Sequence, residues 1–448
     1  MERYDLLYRL YDEFDADALR EYQTFVDLFP PVDSRVALEH WEEASDELDQ
    51  RKTEIRTALP AGETMADVAT YADRETAFQA LDLHNRYGRA VNALVLDVDE
   101  TLRSAGGTDN EIPRETLHML TRLHEAGVPV VICTGQTLEN VKGFMIQGLG
   151  NALVHSGTLS IVYEAGNGVF TPGHGSRTKQ LLYEELDESV RSVFDEVRSR
   201  VLPDAPENVR RGCHLQGNEF NVTLKPNFET GSAEAETVID DGLVHIVDLL
   251  GEAVVAAADL DGKRSAGRAD GGRAPERGGE PDGMESSSDG DAFDAPSPGA
   301  AWARAHYAAA DPEIREVLEA EGATVGIDPS DVPAPISALF ERVDVGYYHA
   351  DAAEISSLEL NKVAGVEAAL DVLGVTDPFV LVMGDSKSDL RVMEWAKRED
   401  AGIAAAPEHA SEDVLSHVRE TDDLVYARGN ADDLLRTVYV LNRLAQLS

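Results

Sequence analysis

Residues 93–101 read ALVLDVDET in a chain of 448 residues. The four apolar residues at the start of this stretch predict a strand that is buried on both faces, as in the middle of a parallel sheet. Asp97 and Asp99 follow at its carboxyl end, where open α/β sheets place their ligand sites. Two carboxylates this close destabilise each other when both are ionised, unless a positive charge such as a bound cation lies near them. The stretch therefore predicts a site built around a cation, with a solvated acidic turn as the alternative.

Two later apolar runs also end in polar residues. VPVVICTGQ, which ends at Gln136, predicts a second strand with Thr134 and Gly135 at its carboxyl end. FVLVMGDSKSD predicts a third strand, followed by Asp385 and, four residues later, by Asp389. Thr134 and Asp385 are also residue types that caps favour, so each could instead begin the helix that follows it.

A single lysine stands ahead of the third strand. Lys362 lies in LELNKVAGVEAALDVLGV, in a chain where arginine far outnumbers lysine. It is a candidate for a fixed positive charge beside the carboxylates. The alternative is a surface lysine at the start of a helix.

In chain order these residues form Asp-x-Asp-x-Thr, a strand-end Thr, a Lys and Gly-Asp-x-x-x-Asp. This order resembles the four signatures of the haloacid dehalogenase-like (HAD) phosphatase superfamily. The resemblance implies that Asp97 is a nucleophile that forms an aspartyl-phosphate, and that Asp99 is the general acid and base. It also implies that Thr134, Gly135 and Lys362 bind the phosphate group.

The same resemblance implies a magnesium site. Asp97, Asp385 and Asp389 would supply carboxylate oxygens, and the backbone carbonyl of Asp99 would complete the protein ligands. Mg²⁺ suits such a site because it is a hard cation that takes few carboxylates and keeps several waters.

The Gly-Asn-Gly turn at residues 166–168 and the segment before Lys362 resemble the Cof-like, or type IIB, branch of the superfamily. Three positions depart from that branch: Glu100 replaces a Gly, Gln136 replaces an Arg, and Ser388 replaces an Asn. We expect Gln136 and Ser388 to line the substrate side, so these departures leave the identity of the substrate open.

The alternation of strands and helices predicts an α/β fold: a doubly wound, Rossmann-like parallel sheet with an inserted α/β cap domain and an N-terminal helical region. The expected divisions are a helical extension at 1–88, a core at 89–180 and 350–448, and the cap at 181–349. Within the cap, residues 259–299 are rich in Gly, Ser, Asp, Arg and Pro, and we expect them to be disordered.

The cap sequence RRGCHLQGNEFNVTLKPN predicts a hairpin about Gly217 with one apolar face and one polar face. By the resemblance, the polar face meets the substrate, which makes Gln216 and Asn221 candidate substrate-binding residues. A sheet face that is merely turned to solvent would show the same alternation.

The first 88 residues predict three helices, which end before Pro30, near Leu59 and near Tyr87. An apolar stripe on the second helix includes Leu48 and Ile55. The stripe favours either an appendage packed on its own enzyme or a surface for a partner, including a second copy of the chain. The HAD resemblance does not extend to this region.

The chain carries 39 Lys and Arg against 84 Asp and Glu, for a net charge of −45. Such a surface repels nucleic acid and anionic membranes, so we expect neither as a partner. It suits a cytosol of very high salt, where charges are screened within ~3 Å at 1 M, and we hypothesise an extreme halophile. No apolar run approaches the ~18 residues of a membrane span and no cationic leader is present, so we expect a cytoplasmic protein.

Together these features predict a Mg²⁺-dependent phosphatase that acts on a sugar phosphate or a similar small phosphorylated metabolite. One alternative is phosphoryl transfer of the kind catalysed by eukaryotic-type phosphomannomutase, which shares the cap type. Another is a non-catalytic regulatory or binding protein built on a HAD core.

Overall fold

The computed structural model of the chain describes residues 3–29, 35–103, 112–139, 141, 148–218, 220–269 and 296–447. The chain forms two compact units. The first comprises Met1–Leu182 and Asn361–Ser448, and the second comprises Tyr183–Leu360. The second unit is therefore an insertion into the first.

Among the described residues there are twelve strands, namely β1 (Ala93–Leu96), β2 (Val130–Cys133), β3 (Leu159–Tyr163), β4 (Gly168–Phe170), β5 (Gln180–Leu181), β6 (Cys213–Gln216), β7 (Asn221–Pro226), β8 (Val343–Tyr348), β9 (Ala352–Ser357), β10 (Val380–Met383), β11 (Gly402–Pro407) and β12 (Leu424–Tyr426). Eight of them form the sheet of the first unit, in the order β12-β11-β10-β1-β2-β3-β4-β5. The strands from β12 to β3 pair in parallel, and β4 and β5 continue the sheet in antiparallel fashion. The predicted parallel α/β core is confirmed.

Strand β1 lies in the middle of this sheet, between β2 and β10. Its alternate residues belong to two separate apolar clusters, with Leu94 and Leu96 in one and Ala93 and Val95 in the other. Because successive side chains of a strand point to opposite faces, both faces of β1 are covered, as the sequence predicted. The carboxyl ends of β1, β2 and β10 meet at one edge of the sheet because the three strands run in parallel.

The helices of the core are Arg114–Glu125, Gly150–Val154, Lys362–Val372, Lys387–Arg398, Glu412–Glu420 and Ala431–Ala445. The first and the last of these contribute to the cluster that contains Leu94. The helices Lys362–Val372, Lys387–Arg398 and Glu412–Glu420 contribute to the cluster that contains Val95. Helices therefore cover both faces, which is the doubly wound arrangement.

In the part of the chain before β1 that the structure describes there are five helices, namely Arg3–Glu13, Ala16–Leu28, Arg35–Ala58, Gly62–Tyr71 and Arg74–Tyr87. Three were expected, and the two extra breaks fall at aspartates. The side chains of Asp15 and Asp73 accept hydrogen bonds from the backbone N–H groups of Ala18 and Thr76. An aspartate in this role begins a new helix instead of continuing the previous one. The sequence favours Asp33 or Ser34 as the cap of the helix that ends near Leu59, and both lie outside the described residues.

These N-terminal helices belong to the first unit and are not a separate body ending at residue 88. Leu7, Leu19, Ile55 and Met65 are buried in the same cluster as Leu441 of the last core helix. This packing favours the interpretation of the extension as an appendage on its own enzyme. A role in oligomerisation stays a prediction.

The second unit contains an antiparallel sheet of four strands, in the order β6-β7-β9-β8. Its helices are Glu188–Arg200, Glu207–Gly212, Ser232–Ala269, Pro298–Ala310, Pro312–Ala320 and Ala334–Phe340. The predicted cap ended at residue 349, but the unit extends to Leu360. The reason is that β9, which was assigned to the core from its place before Lys362, pairs with β7 and β8.

Helices occupy both ends of the segment 259–299, which was expected to be disordered throughout. The helix Ser232–Ala269 runs into it from one side, and Pro298–Ala310 begins inside it, capped by the Ser297 hydroxyl, which accepts from Ala300 N at 3.2 Å. Residues 270–295 lie outside the described residues. No helix in the described ranges combines the length and the apolar character needed to span a bilayer.

Candidate active site

Asp97 and Lys362 form the centre of the site. Asp97 directly follows β1, and its backbone N–H donates to Met383 O of the neighbouring β10 at 2.9 Å. Lys362 Nζ donates to Asp97 Oδ1 at 2.9 Å and to Asp389 Oδ1 at 2.6 Å. All three side chains are buried, and Lys362 is only 4% exposed. The alternative of a surface lysine is therefore wrong.

Lys362 is held in place by the turn before it and by a glycine beside it. Asn361 caps the helix Lys362–Val372, and its side chain accepts from Val363 N and Ala364 N. A Cβ at Gly166 would lie 2.0 Å from Asn361 O, so only glycine lets the backbone approach this closely. Gly166 also has φ +106°, in the region that favours glycine. The Gly-Asn-Gly turn therefore packs against the backbone just before Lys362, and the left-handed residues 164–166 lead into this turn.

Asp389 connects the third strand end to the lysine. Its Oδ2 accepts from Ser386 N at 3.1 Å, Ser386 Oγ at 2.6 Å and Asp385 N at 3.3 Å. Ser386 and Asp389 together form a capping box for the helix Lys387–Arg398. The N-cap is therefore Ser386 and not Asp385. A Cβ at Gly384 would lie 2.2 Å from the Cβ of Asp389, which accounts for the glycine of the Gly-Asp signature.

The Asp385 carboxylate does not cap the helix and is therefore available to bind a cation. Its Oδ1 accepts a hydrogen bond from Thr101 Oγ1 at 3.2 Å. Carboxylate oxygens of Asp97, Asp385 and Asp389 lie within 4.8 Å of one another. Burial, with the charge of Asp389, raises the pKa of Asp385 to about 6. Burial likewise raises the pKa of Asp97, against the opposing effect of Lys362. Three converging hard oxygen donors fit a divalent cation such as Mg²⁺.

Asp99 is held at both carboxylate oxygens. Arg103 Nε and Nη2 donate to Oδ1 at 2.9 and 2.7 Å, and Gln136 Nε2 donates to Oδ2 at 2.5 Å. Gln136 was expected to face the substrate, and here it contacts Asp99. Sequence reasoning missed Arg103, which is 8% exposed. The available signal was a guanidinium four residues after an aspartate of the signature, in a chain with few cations.

Thr134 follows β2 and is buried. Its backbone N–H donates to Val162 O at 2.9 Å, and its Oγ1 accepts from Gln136 N at 3.1 Å. The hydroxyl therefore caps the turn and still carries a proton that it can donate to a phosphate oxygen. A Cβ at Gly135 would meet no atom within 4 Å, so the space beside Gly135 is open.

The remaining predicted residues lie in different places. Ser388 is in the first turn of the helix Lys387–Arg398, with its Oγ 2.9 Å from Ser386 Oγ. Gln216 and Asn221 lie in the second unit, on β6 and β7. Asn221 Oδ1 accepts from Thr223 Oγ1 at 2.6 Å. Roles for Ser388, Gln216 and Asn221 in substrate binding stay predictions.

Residues 94–196 match a family model described as haloacid dehalogenase-like hydrolase. The search of curated proteins found no match. Among solved structures, a haloacid dehalogenase-like hydrolase from Bacteroides thetaiotaomicron is similar, with 13% identity, a TM-score of 0.37 and coverage of 78% of this chain and 98% of that one. A phosphatase of the HAD superfamily from the same organism has 14% identity, a TM-score of 0.39 and coverage of 79% and 96%. A HAD subclass IIB sugar phosphatase has 16% identity, a TM-score of 0.38 and coverage of 77% and 96%.

The matched segment contains most of β1 and all of β2 and β3, with the residues at their carboxyl ends, including Asp97, Asp99 and Thr134. The remaining signature residues lie beyond it and converge on the same place, namely Lys362, Asp385 and Asp389. Over residues 94–196 the chain therefore matches the haloacid dehalogenase-like hydrolases.

Proposed function

We propose that the protein is a Mg²⁺-dependent phosphomonoester hydrolase of the Cof-like branch, which acts on a sugar phosphate or a similar small phosphorylated metabolite. One observation supports this most strongly. A buried aspartate at the end of the central strand lies beside a buried lysine and within reach of two further carboxylates. Phosphoryl transfer needs this combination of an oxygen nucleophile and concentrated positive charge.

Asp97 acts as the nucleophile in this proposal. Its carboxylate attacks phosphorus as the bond to the substrate oxygen breaks, and an aspartyl-phosphate results. Burial favours the protonated form of Asp97, which cannot attack, so the ammonium of Lys362 has to keep it ionised. When bound, Mg²⁺ would neutralise further charge on the phosphoryl group, held by Asp97, Asp385, Asp389 and the backbone carbonyl of Asp99.

Asp99 transfers the protons. It gives one to the leaving oxygen in the first step, and in the second it accepts one from the water that attacks the aspartyl-phosphate. Release of phosphate then restores the Asp97 carboxylate. Arg103 and Gln136 fix the orientation of the Asp99 carboxylate, and Thr134, Gly135 and Lys362 bind the other phosphate oxygens.

The test is phosphate release from a panel of phosphorylated sugars and other small metabolites, with Mg²⁺ and molar KCl. Wild type should release phosphate from at least one of them, and Asp97→Asn should abolish release. Asp377→Asn is a matched control, because Asp377 is an exposed aspartate that precedes β10 at the opposite edge of the same sheet. Undiminished turnover by Asp97→Asn would contradict the assignment of the nucleophile.

Product analysis separates the alternatives. A mutase of the phosphomannomutase type would convert a sugar phosphate to its isomer without net release of phosphate. A regulatory protein would bind a phosphorylated ligand, and neither release nor isomerisation would depend on Asp97. Either pattern would replace the hydrolase proposal.

A further inference from the structure

Glu100 has an unusual backbone conformation at the centre of the site. It lies between Asp99 and Thr101 with φ +57°, in the left-handed region. For a residue with a Cβ this conformation is strained, and surrounding contacts have to maintain it. Any movement of Glu100 is passed directly to Asp99, since the two are adjacent.

Arg428 and His409 hold the Glu100 side chain. Its Oε2 lies 2.7 Å from Arg428 Nη2 and 3.2 Å from His409 Nε2. His409 Nε2 is also 3.0 Å from the backbone oxygen of Glu100. Both the side chain and the backbone of this residue are therefore tied to other parts of the sheet.

Both residues lie just after the outer strands of the parallel sheet. His409 follows β11, and Arg428 follows β12. Two neighbouring hydrogen bonds also join β12 and the segment after β11 to residues of the site. The buried Tyr426 hydroxyl donates to Thr101 O at 3.1 Å, and Ser411 N donates to Asp385 O at 2.9 Å. The loop that carries the catalytic aspartates is thus held from two strands that supply none of the signature residues.

We propose that Glu100, His409 and Arg428 form a positioning cluster, which we call the Glu100 cluster. It keeps the 97–103 loop in the geometry that places the Asp97 and Asp99 carboxylates for reaction. Its members act through the loop and do not touch the reacting atoms. The inference rests on the proposed hydrolase activity, whose rate it would control.

Substitutions of Glu100 separate positioning from stability. Glu100→Gly removes the carboxylate but relieves the left-handed backbone, whereas Glu100→Ala removes the same carboxylate and keeps the strain. Both should lower kcat about tenfold to a hundredfold, with KM within about twofold, because misplaced catalytic groups affect the chemical step. Only Glu100→Ala should also lower the melting temperature clearly. Glu100→Gln keeps an acceptor for Arg428 and should restore most of kcat.

Arg428→Met tests the cluster without changing the loop sequence. The Arg428 side chain is 49% exposed, so the variant should fold. We expect the same fall in kcat, and faster hydrogen exchange at the Leu102 and Arg103 amides, which donate to Val98 O at 3.0 and 3.1 Å. Asp377→Ala, which removes an exposed ion pair at the other edge of the sheet, should change neither quantity.

If Glu100→Gly and Arg428→Met turn over at the wild-type rate with unchanged amide exchange, the cluster is not a positioning device and the proposal is wrong. Failure of the proposed function would look different. In that case wild type itself would hydrolyse no phosphomonoester, and amide exchange in Arg428→Met would still decide whether the cluster holds the loop.

Discussion

Replacing Lys362 by methionine removes the positive charge between two buried carboxylates and keeps a long side chain in its place. The ammonium lies 2.9 Å from Asp97 and 2.6 Å from Asp389. Burial opposes a charge on this lysine, but the carboxylates of Asp389 and Asp97 outweigh it and hold the pKa of Lys362 well above its usual range. The lysine is therefore charged, and the variant leaves both carboxylates without it.

The expected size of the effect follows from burial. Removing one partner of a buried ion pair costs about 3–5 kcal/mol, because the other charge is left uncompensated. We expect a loss of about this size in the free energy of unfolding of Lys362→Met at pH 8 without a divalent cation. The loss should shrink as the pH falls, because burial raises the pKa of Asp97 and protonation then favours the folded state. A cation at a hundred times its Kd should recover about 2.7 kcal/mol.

The assay is urea unfolding at fixed KCl, since urea is uncharged and does not screen the ion pair. It is run at pH 8 and pH 5, with EDTA and with Mg²⁺. Lys387→Met is the matched control: Lys387 Nζ lies 3.4 Å from Asp413 and its side chain is 42% exposed, so the change should stay within about 1 kcal/mol. Unfolding of Lys362→Met at the wild-type urea concentration, in EDTA at pH 8, would refute the reasoning.

Three further predictions concern the metal, Asp99 and the surface. Because the pKa of Asp385 is raised to about 6, protons should compete with Mg²⁺ below that pH. Titration calorimetry should therefore show the affinity for Mg²⁺ falling as the pH drops from 7 to 5. An affinity that stays constant over this range would exclude Asp385 as a ligand. Arg103→Met should lower kcat about a hundredfold with little change in KM. Arg103→Lys should keep only part of the wild-type kcat, because an ammonium lacks the two parallel donors of the guanidinium. A rise in KM alone would instead indicate that Arg103 contacts the substrate. With a net charge of −45, the melting temperature should rise with KCl up to molar concentrations; equal stability without salt would contradict the halophile hypothesis.

The sequence predicted what depends on local pattern. Four apolar residues followed by an aspartate were sufficient to predict β1, because a strand covered on both faces needs no alternation. Parallel neighbours then bring their carboxyl ends together, so Asp97, Thr134 and Asp385 could be assigned to one edge before any coordinates. The scarcity of lysine made Lys362 a candidate cation, but its place beside Asp97 and Asp389 was predicted by resemblance, since these contacts join residues 265 and 27 positions apart.

The helix cap after β10, the strand pairing of β9 and the partners of two arginines could not be predicted, because local sequence pattern does not determine them. Asp385 and Ser386 are both good N-cap residues, and Ser386 prevails because Asp389 completes a capping box with it. β9 stands directly before the lysine in sequence, yet it pairs with β7, more than a hundred residues earlier. Arg103 and Arg428 belong to no periodic pattern, and only the folded chain shows that each meets an acidic residue of the Asp-x-Asp-x-Thr signature.

The cations of this acidic chain serve two different purposes, and salt distinguishes between them. Pairs such as Arg89 with Asp377 are partly exposed and are screened within a few ångströms in molar KCl. Lys362 and Arg103 are buried, so dissolved ions cannot replace them. High salt can therefore relieve the repulsion of the surface without loosening the contacts of Asp97 and Asp99. Under the proposed function, a chain of charge −45 can in this way bind a dianionic phosphate, because the local charge at the substrate is set by a few buried cations and not by the net charge of the chain.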